Sequence, residues 1–157
     1  MSAQPGIPLP TLRAMRADDL SRIADIEMVA YEFPWTEGIF RDCLRVEYCC
    51  VVLEGDGELY GYGVMSVAAG EAHLLNLCVR PDRQRFGLGS DLLRYFLGKA
   101  KEADAGRIFL EVRQTNLAAL ALYNRAGFKA VGLRRNYYRA PEGREDAIVL
   151  SLAIDHD

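Results

Sequence analysis

The sequence predicts an α/β fold on a mixed sheet. Three observations carry the prediction: strand-like runs outnumber helical ones, hairpins are expected toward both ends, and one βαβ crossover sits between them. Residues 1–9, with Pro5, Gly6 and Pro8, read as a flexible lead-in, and residues 10–157 as a single domain. Leu9 to Met15 has the pattern of a first strand. Asp18 and Asp19 have the residue type of a helix N-cap, and Leu20, Ile23, Ile26 and Ala30 follow at helical spacing. Phe33-Pro34-Trp35 breaks that helix, and Thr36 with Glu37 opens a short second one to about Arg45. Tyr48 to Leu53 and Leu59 to Val67 form a hairpin across Gly55-Asp56-Gly57.

Leu74 to Val79 is the fourth strand, ended by Pro81, which has no N–H to give a ladder. Leu88, Leu92, Phe96 and Ala100 then recur every fourth residue, as a helix requires, and Gly106 is expected to close that helix as its C′ glycine. Ile108 to Val112 is the fifth strand. Asn116 opens a short helix through Ala126 that Gly127 terminates, and Phe128 starts a sixth strand to about Tyr138. Pro141-Glu142-Gly143 turns into a last strand, Ala147 to Ile154. No internal repeat or low-complexity tract interrupts the chain.

At 157 residues, 50% hydrophobic and 26% charged, the chain can bury a real core. Its net charge of −3 gives no footprint for non-specific nucleic-acid binding, although it suits a basic partner. No apolar run approaches the roughly eighteen residues of a membrane span, and no signal-peptide pattern opens the chain, so a cytoplasmic protein is expected. Cys43, Cys49, Cys50 and Cys78 form no C-x-x-C pair, and His73 and His156 are the only histidines. No metal cluster can be assembled at familiar spacing, and the thiols read as reduced, apolar packing groups.

Three places carry chemistry. The first is Val79 to Ser90. A strand stops at Pro81, Arg83 and Arg85 follow, and Gly87 and Gly89 remove Cβ atoms where backbone must come close to something. A helix N-terminus with unpaired N–H donors results, a ready site for an anion such as a pyrophosphate. There is no G-x-x-x-x-G-K-[ST] run and no G-x-G-x-x-G with an acid about twenty residues on, which excludes a P-loop and disfavours a dinucleotide fold. The second is Glu111. Strand alternation puts Ile108, Leu110 and Val112 on one face and Phe109, Glu111 and Arg113 on the other. Glu111 is either a partly exposed acid beside Arg113 or a general base whose pKa burial has raised. The third is Tyr123, on a short helix closed by Gly127, where the commoner role is an aromatic packed on the sheet.

Gln84-x-x-Gly87-x-Gly89, then Glu111, then Asn116-x-x-Ala119-x-x-x-Tyr123-x-x-x-Gly127-Phe128, in this order, resemble the GNAT superfamily of N-acetyltransferases. Phe33-Pro34-Trp35-Thr36, Leu110-Glu111-Val112-Arg113, Arg134-Arg135-Asn136-Tyr137-Tyr138 and Gly143-Arg144-Glu145-Asp146-Ala147 are similar to segments of its bacterial ribosomal-protein-alanine branch. The resemblance runs from about residue 10 to 154; Phe86 stands where a polar residue is more usual, and Cys78 where a smaller one is. It implies a mostly antiparallel twisted sheet flanked by helices, with the central βαβ unit serving a cofactor.

The implied activity is acetyl transfer from acetyl-CoA, with no metal, to the N-terminal alanine of a small-subunit ribosomal protein. Glu111 matches the family's base and Tyr123 the acid that protonates the coenzyme A sulfur. Leu77, Cys78 and Val79 resemble the strand that pairs with the pantetheine arm. Arg85, Phe86, Gly87, Leu88, Gly89 and Ser90 resemble the pyrophosphate loop, and Asn116 a further cofactor contact. Trp35, Asn76, Tyr138 and Asp146 are the candidate acceptor contacts, and Glu145 with Asp146 would suit a basic N-terminal segment. The resemblance brings in no nucleic acid and no membrane, and a monomer is favoured. Two other functions remain open: an acetyltransferase for a small-molecule amine, such as a polyamine or aminoglycoside, and a non-catalytic acetyl-CoA-binding module.

Overall fold

The structure is a computed structural model that describes residues 10–156; the expected lead-in, residues 1–9, lies outside them. In chain order the elements are β1 (Thr11–Ala14), α1 (Leu20–Ala30), α2 (Glu37–Arg45), β2 (Cys49–Gly55), β3 (Glu58–Ala68), β4 (Glu71–Val79), α3 (Leu88–Glu102), β5 (Arg107–Arg113), α4 (Leu117–Arg125), β6 (Lys129–Ala140) and β7 (Gly143–Ala153). The seven strands join one sheet in the order β1-β2-β3-β4-β5-β7-β6. The pairs β1–β2, β2–β3, β5–β7 and β6–β7 are antiparallel, while β4–β5 is parallel because α3 carries the chain back over the sheet. This is the mixed, mostly antiparallel sheet with flanking helices that the resemblance implies.

The chain gathers into two compact units, with β3, β4 and α3 contributing to each. The first unit takes the chain up to Met65 together with Asn76–Tyr95. Leu20 and Ile23 from α1, Phe40 from α2, Val51, Val52 and Leu53 from β2, and Tyr60 and Tyr62 from β3 are buried in its core. Thr36 caps α2 as its sequence suggests, accepting from the Ile39 N–H. Asp19 does not cap α1: it lies in a 3-10 turn (Ala17–Asp19) with helical dihedrals. Its carboxylate instead takes two bonds from Arg13, at 2.8 Å each, one from Arg22 at 3.0 Å and one from the Arg16 N–H at 2.8 Å. Arg13 also bonds Glu54, so one guanidinium ties β1 to the turn before α1 and to β2. Fully buried, Asp19 is held ionised, its pKa brought down to about 2 by the Arg13 bonds. Gly61 is required by close approach, since a Cβ there would stand 2.7 Å from the Cys78 carbonyl oxygen and 3.1 Å from a Leu92 methyl.

The second unit comprises Ser66–Leu75 and the chain from Phe96 onward. Phe96, Ala100, Ile108, Leu110, Val112, Ala147 and Leu150 are buried there. On β5 burial alternates with period two, Phe109, Glu111 and Arg113 remaining half-buried. Gly106 is not the cap of α3. The helix ends at Glu102, Asp104 takes the left-handed turn at φ 60°, and the Ala105 N–H closes onto the Ala100 carbonyl. Gly106 ties strand ends together instead, its N–H bonding Gly70 O at 2.8 Å and its carbonyl accepting from Ile154 N–H at 3.0 Å. Two strands start earlier than their apolar residues suggest, β4 at Glu71 and β7 at Gly143. The parallel ladder has three rungs, Glu71↔Arg107, Ala72↔Ile108 and His73↔Phe109, although β4 continues to Val79 and β5 to Arg113. Against β7, β6 slips register twice, between Ala130 and Gly132 and between Arg134 and Tyr138, with Asn136 at φ 54° inside the second break.

Candidate active site

In the first unit, β4 leads into the glycine loop. Gly87 has φ 79° with open space where a Cβ would be, and Arg85 shares the left-handed region at φ 74°. The Asp91 N–H bonds Gly87 O, so the fifteen-residue α3 begins directly behind the loop and its first N–H groups have no partner within the helix. Arg83 lies over the Tyr60 ring at 5.2 Å, and its Nε is buried without a hydrogen-bond partner among the described residues. Phe86 is exposed and Leu88 buried. Of the three strand residues before the loop, Leu77 accepts on its carbonyl from the Tyr31 hydroxyl at 3.3 Å, and Val79 accepts from Gln84 Nε2 at 3.2 Å. Cys78 points its thiol inward, and burial pushes that thiol up to about 11.

The same unit holds a polar cluster that sequence reasoning found only in part. Glu27 of α1 is buried, accepting from Trp35 N–H at 3.0 Å, from the Tyr62 hydroxyl at 2.7 Å and from Asn76 Nδ2 at 3.5 Å. Desolvation raises its pKa above the ordinary carboxylate value despite these three donors. Trp35 packs its ring on Phe40, 5.2 Å between centroids, so it belongs in part to the core. Asn76 Oδ1 is buried with no partner among the described residues. Of the four candidate acceptor contacts, Trp35 and Asn76 are therefore brought together here, by Glu27, which had not been singled out.

Glu111 lies in the second unit. His73 Nε2 is 2.7 Å from its Oε1, and Arg134 Nε is 3.6 Å from its Oε2. The carboxylate side chain is only 9% exposed. Burial alone was expected to raise its pKa; the value is lowered, because the His73 bond, helped by the charges of His73 and Arg134, outweighs desolvation. Tyr123, the one buried residue of α4, packs edge-on against Phe128 with ring centroids 5.5 Å apart. Its burial drives its pKa well above that of a free phenol, so it keeps its proton. Tyr138 is likewise raised by burial, with Arg113 stacked 4.5 Å over its ring.

Two of the predicted contacts have structural work. Asn116 caps α4, accepting from Ala119 N–H at 3.2 Å. Asp146 accepts from the Asn136 N–H at 2.8 Å and so braces the break in β6. Glu145 is committed to Arg113 at 2.9 Å and to the Thr115 hydroxyl at 2.8 Å, which lowers its pKa and leaves it less open to a basic peptide than the sequence suggests. Sequence reasoning missed His73 because the strand was begun at Leu74. Glu27 had a readable signal, an acid four residues after Ile23 on an apolar helical stripe.

Residues 14–128 match the acetyltransferase (GNAT) family. The chain belongs to that family. It is 38% identical over 144 residues to the [ribosomal protein bS18]-alanine N-acetyltransferase of Escherichia coli K12, covering 92% of this chain and 97% of that one. The enzyme of the same name from Haemophilus influenzae is 33% identical over 141 residues, 89% and 96% of the two chains. The crystal structure of the E. coli enzyme matches with a TM-score of 0.87 at 37% identity, over 94% of this chain and 95% of the other. Ard1 from Thermoplasma volcanium matches at 0.85 with 25% identity, over 93% and 98%. The chain is an N-acetyltransferase, and GNAT enzymes take their acetyl group from acetyl-CoA. The loop in the first unit fits the diphosphate of that donor: an unpartnered arginine Nε, a cationic neighbour at Arg85, and a long helix N-terminus behind a glycine with free space on its Cβ side.

Proposed function

We propose that this GNAT enzyme acetylates the N-terminal alanine amine of a small-subunit ribosomal protein in the cytoplasm, with Glu111 as base and Tyr123 as acid. The observation that carries the reading is the state of the two groups. Glu111 is ionised at neutral pH beside His73, and Tyr123 is protonated. Acetyl-CoA supplies the activated thioester, and the chain must supply a neutral amine and a proton for the departing sulfur. An α-amine titrates at roughly 7.7–8.0, so a carboxylate, directly or through one water, can relieve it of its proton near neutral pH. A lysine amine at roughly 10.4 would leave much more to a base whose pKa is already lowered. The α-amine is therefore the better match to Glu111. The 38% identity with the E. coli alanine N-acetyltransferase supports the same acceptor.

Leu77, Cys78 and Val79 would hold the donor's arm through backbone groups. Arg85 to Ser90 would hold its diphosphate, and Asn116 a further part. Trp35 and Asn76 in the first unit, and Tyr138 and Asp146 in the second, would contact the acceptor peptide. No covalent intermediate on the protein is needed; holding both substrates supplies much of the rate. The test is acetyl transfer to two matched peptides, one with a free N-terminal alanine, the other N-terminally blocked with a free internal lysine. Turnover on the first alone, lost in Glu111→Gln and Tyr123→Phe proteins that still bind acetyl-CoA, is expected. Turnover on neither, with donor binding intact, would transfer the reading to a small-molecule amine or a binding module.

A further inference from the structure

We propose that His73 is the positioning residue of the reaction: its Nε2 holds Glu111 by Oε1, fixing the carboxylate so that Oε2 is the oxygen presented to the acceptor amine. The inference rests on the role proposed above for Glu111.

The parallel ladder of β4 and β5 ends at the rung His73↔Phe109, and Glu111 is the next residue of β5 on the face that Phe109 occupies. A side chain on the last rung can lean forward along the neighbouring strand, and an imidazole spans that diagonal. The result is the 2.7 Å contact, between a histidine 36% exposed and a carboxylate 9% exposed. A glutamate side chain carries three rotatable bonds, and an unheld one would spend its time among several rotamers. Bonding one oxygen from a strand fixed by its own ladder removes that freedom. Among the described residues, Arg134 Nε approaches the second oxygen at 3.6 Å, longer than a hydrogen bond.

A histidine in this place also carries a consequence that a fixed donor would not. Neutral imidazole with a proton on Nε2 donates to Oε1, a bond that by itself lowers the carboxylate's pKa. Imidazolium makes the same bond while adding a positive charge, which lowers the carboxylate's appetite for the amine proton. The other groups facing the pair hold one charge state. Arg134 on β6 stays cationic, and Tyr138 on β6 stays neutral because its pKa is raised. On β5, Arg107 bonds the Ser151 hydroxyl and Arg113 bonds Glu145. Glu71, two residues back on β4, is exposed, and Val149 and Ser151 of β7, opposite Glu111 and Phe109, carry no charge. Ser66, Val67 and Ala68 at the end of β3 are uncharged, and the phenol of Tyr123 on α4 stays neutral.

The test compares wild type with His73→Ala and His73→Gln, using the alanine peptide from pH 6 to 9. Steady-state kcat and KM for both substrates, acetyl-CoA affinity and thermal melting are measured for each protein. Because the peptide's own amine titrates identically in every assay, differences between pH profiles belong to the enzyme. His73→Ala is expected to lower kcat roughly tenfold, the scale of one lost charge-assisted hydrogen bond, with both KM values within about twofold. His73→Gln, whose amide nitrogen reaches nearly the place of Nε2 and never gains a charge, should restore most of kcat at pH 8. On the acid side it should fall off less steeply than wild type. A His73→Ala kcat within about twofold of wild type across the range overturns the inference. So does a His73→Gln profile that parallels wild type on the acid side, which holds even if the alanine variant fails to fold. Glu111→Gln separates the two readings: if it keeps the wild-type rate, the proposed base is wrong and this inference falls with it. If it is inactive while the His73 variants behave as wild type, only the positioning role is lost.

Discussion

Replacing Asp19 by Asn tests the electrostatic argument most directly, because the two side chains are nearly the same size. In the folded chain the carboxyl drops from 3.8 to about 2, chiefly through the two Arg13 bonds. At about 1.4 kcal/mol per pH unit this amounts to about 2 kcal/mol of stability at neutral pH. The sign follows from the depressed value: the contribution is complete above the unfolded pKa and disappears as pH falls through the folded one. Asp19→Asn should therefore cost about 2 kcal/mol at pH 7, and the gap between the two proteins should shrink from about pH 4 downward. Below about pH 2 a protonated Asp19 and an asparagine become equivalent. Urea titrations at a series of pH values measure this; guanidinium would screen the pair under study. A gap of equal size at pH 7 and pH 3, or none at pH 7, would refute the reasoning.

Glu27 should behave in the opposite sense. Its pKa is raised by burial, so the ionised form is the one the fold disfavours, and wild type should lose stability relative to Glu27→Gln as pH rises through that raised value, read by melting temperature between pH 5 and 8. Gly61→Ala should cost about 1–3 kcal/mol in urea unfolding, because the contact at 2.7 Å is with backbone that has nowhere to go. Gly98→Ala, in the exposed interior of α3 with nothing within 4 Å of the new Cβ, should instead gain about 0.5–1 kcal/mol in the same assay. Asn116→Ala removes the cap of α4 and should cost about 1 kcal/mol, seen first as faster amide exchange in Leu117 to Ala119.

What could be read from the chain follows from what each signal depends on. Period-two burial on β5 is local, so Ile108, Leu110 and Val112 identified both the strand and the face that carries Glu111. The caps at Thr36 and Asn116 were legible for the same reason. Asp19 was misread because a short acid before an apolar stripe serves equally as a cap or as a partner for a distant arginine, and Arg13 decides between them only in three dimensions. Gly106 was misread because Asp104, a residue that tolerates the left-handed region, ended the helix two positions earlier. The lowered pKa of Glu111 could not be foreseen from its strand, since its cause is a histidine 38 residues away on a neighbouring one. Strand β4 begins with a glutamate, an alanine and that histidine, which carry no apolar alternation to announce it.

The broken register of β6 has a bearing on how this protein fares in a crowded cell. It is a terminal strand of the sheet, almost wholly exposed along twelve residues, and a flat strand of that length would invite another chain to hydrogen-bond along it. Two slips against β7 and a left-handed residue at Asn136 interrupt the row of outward N–H and C=O groups, while Lys129, Arg134, Arg135 and Arg139 add repelling charge. The bond from the Asn136 N–H to Asp146 at 2.8 Å holds that interruption in place.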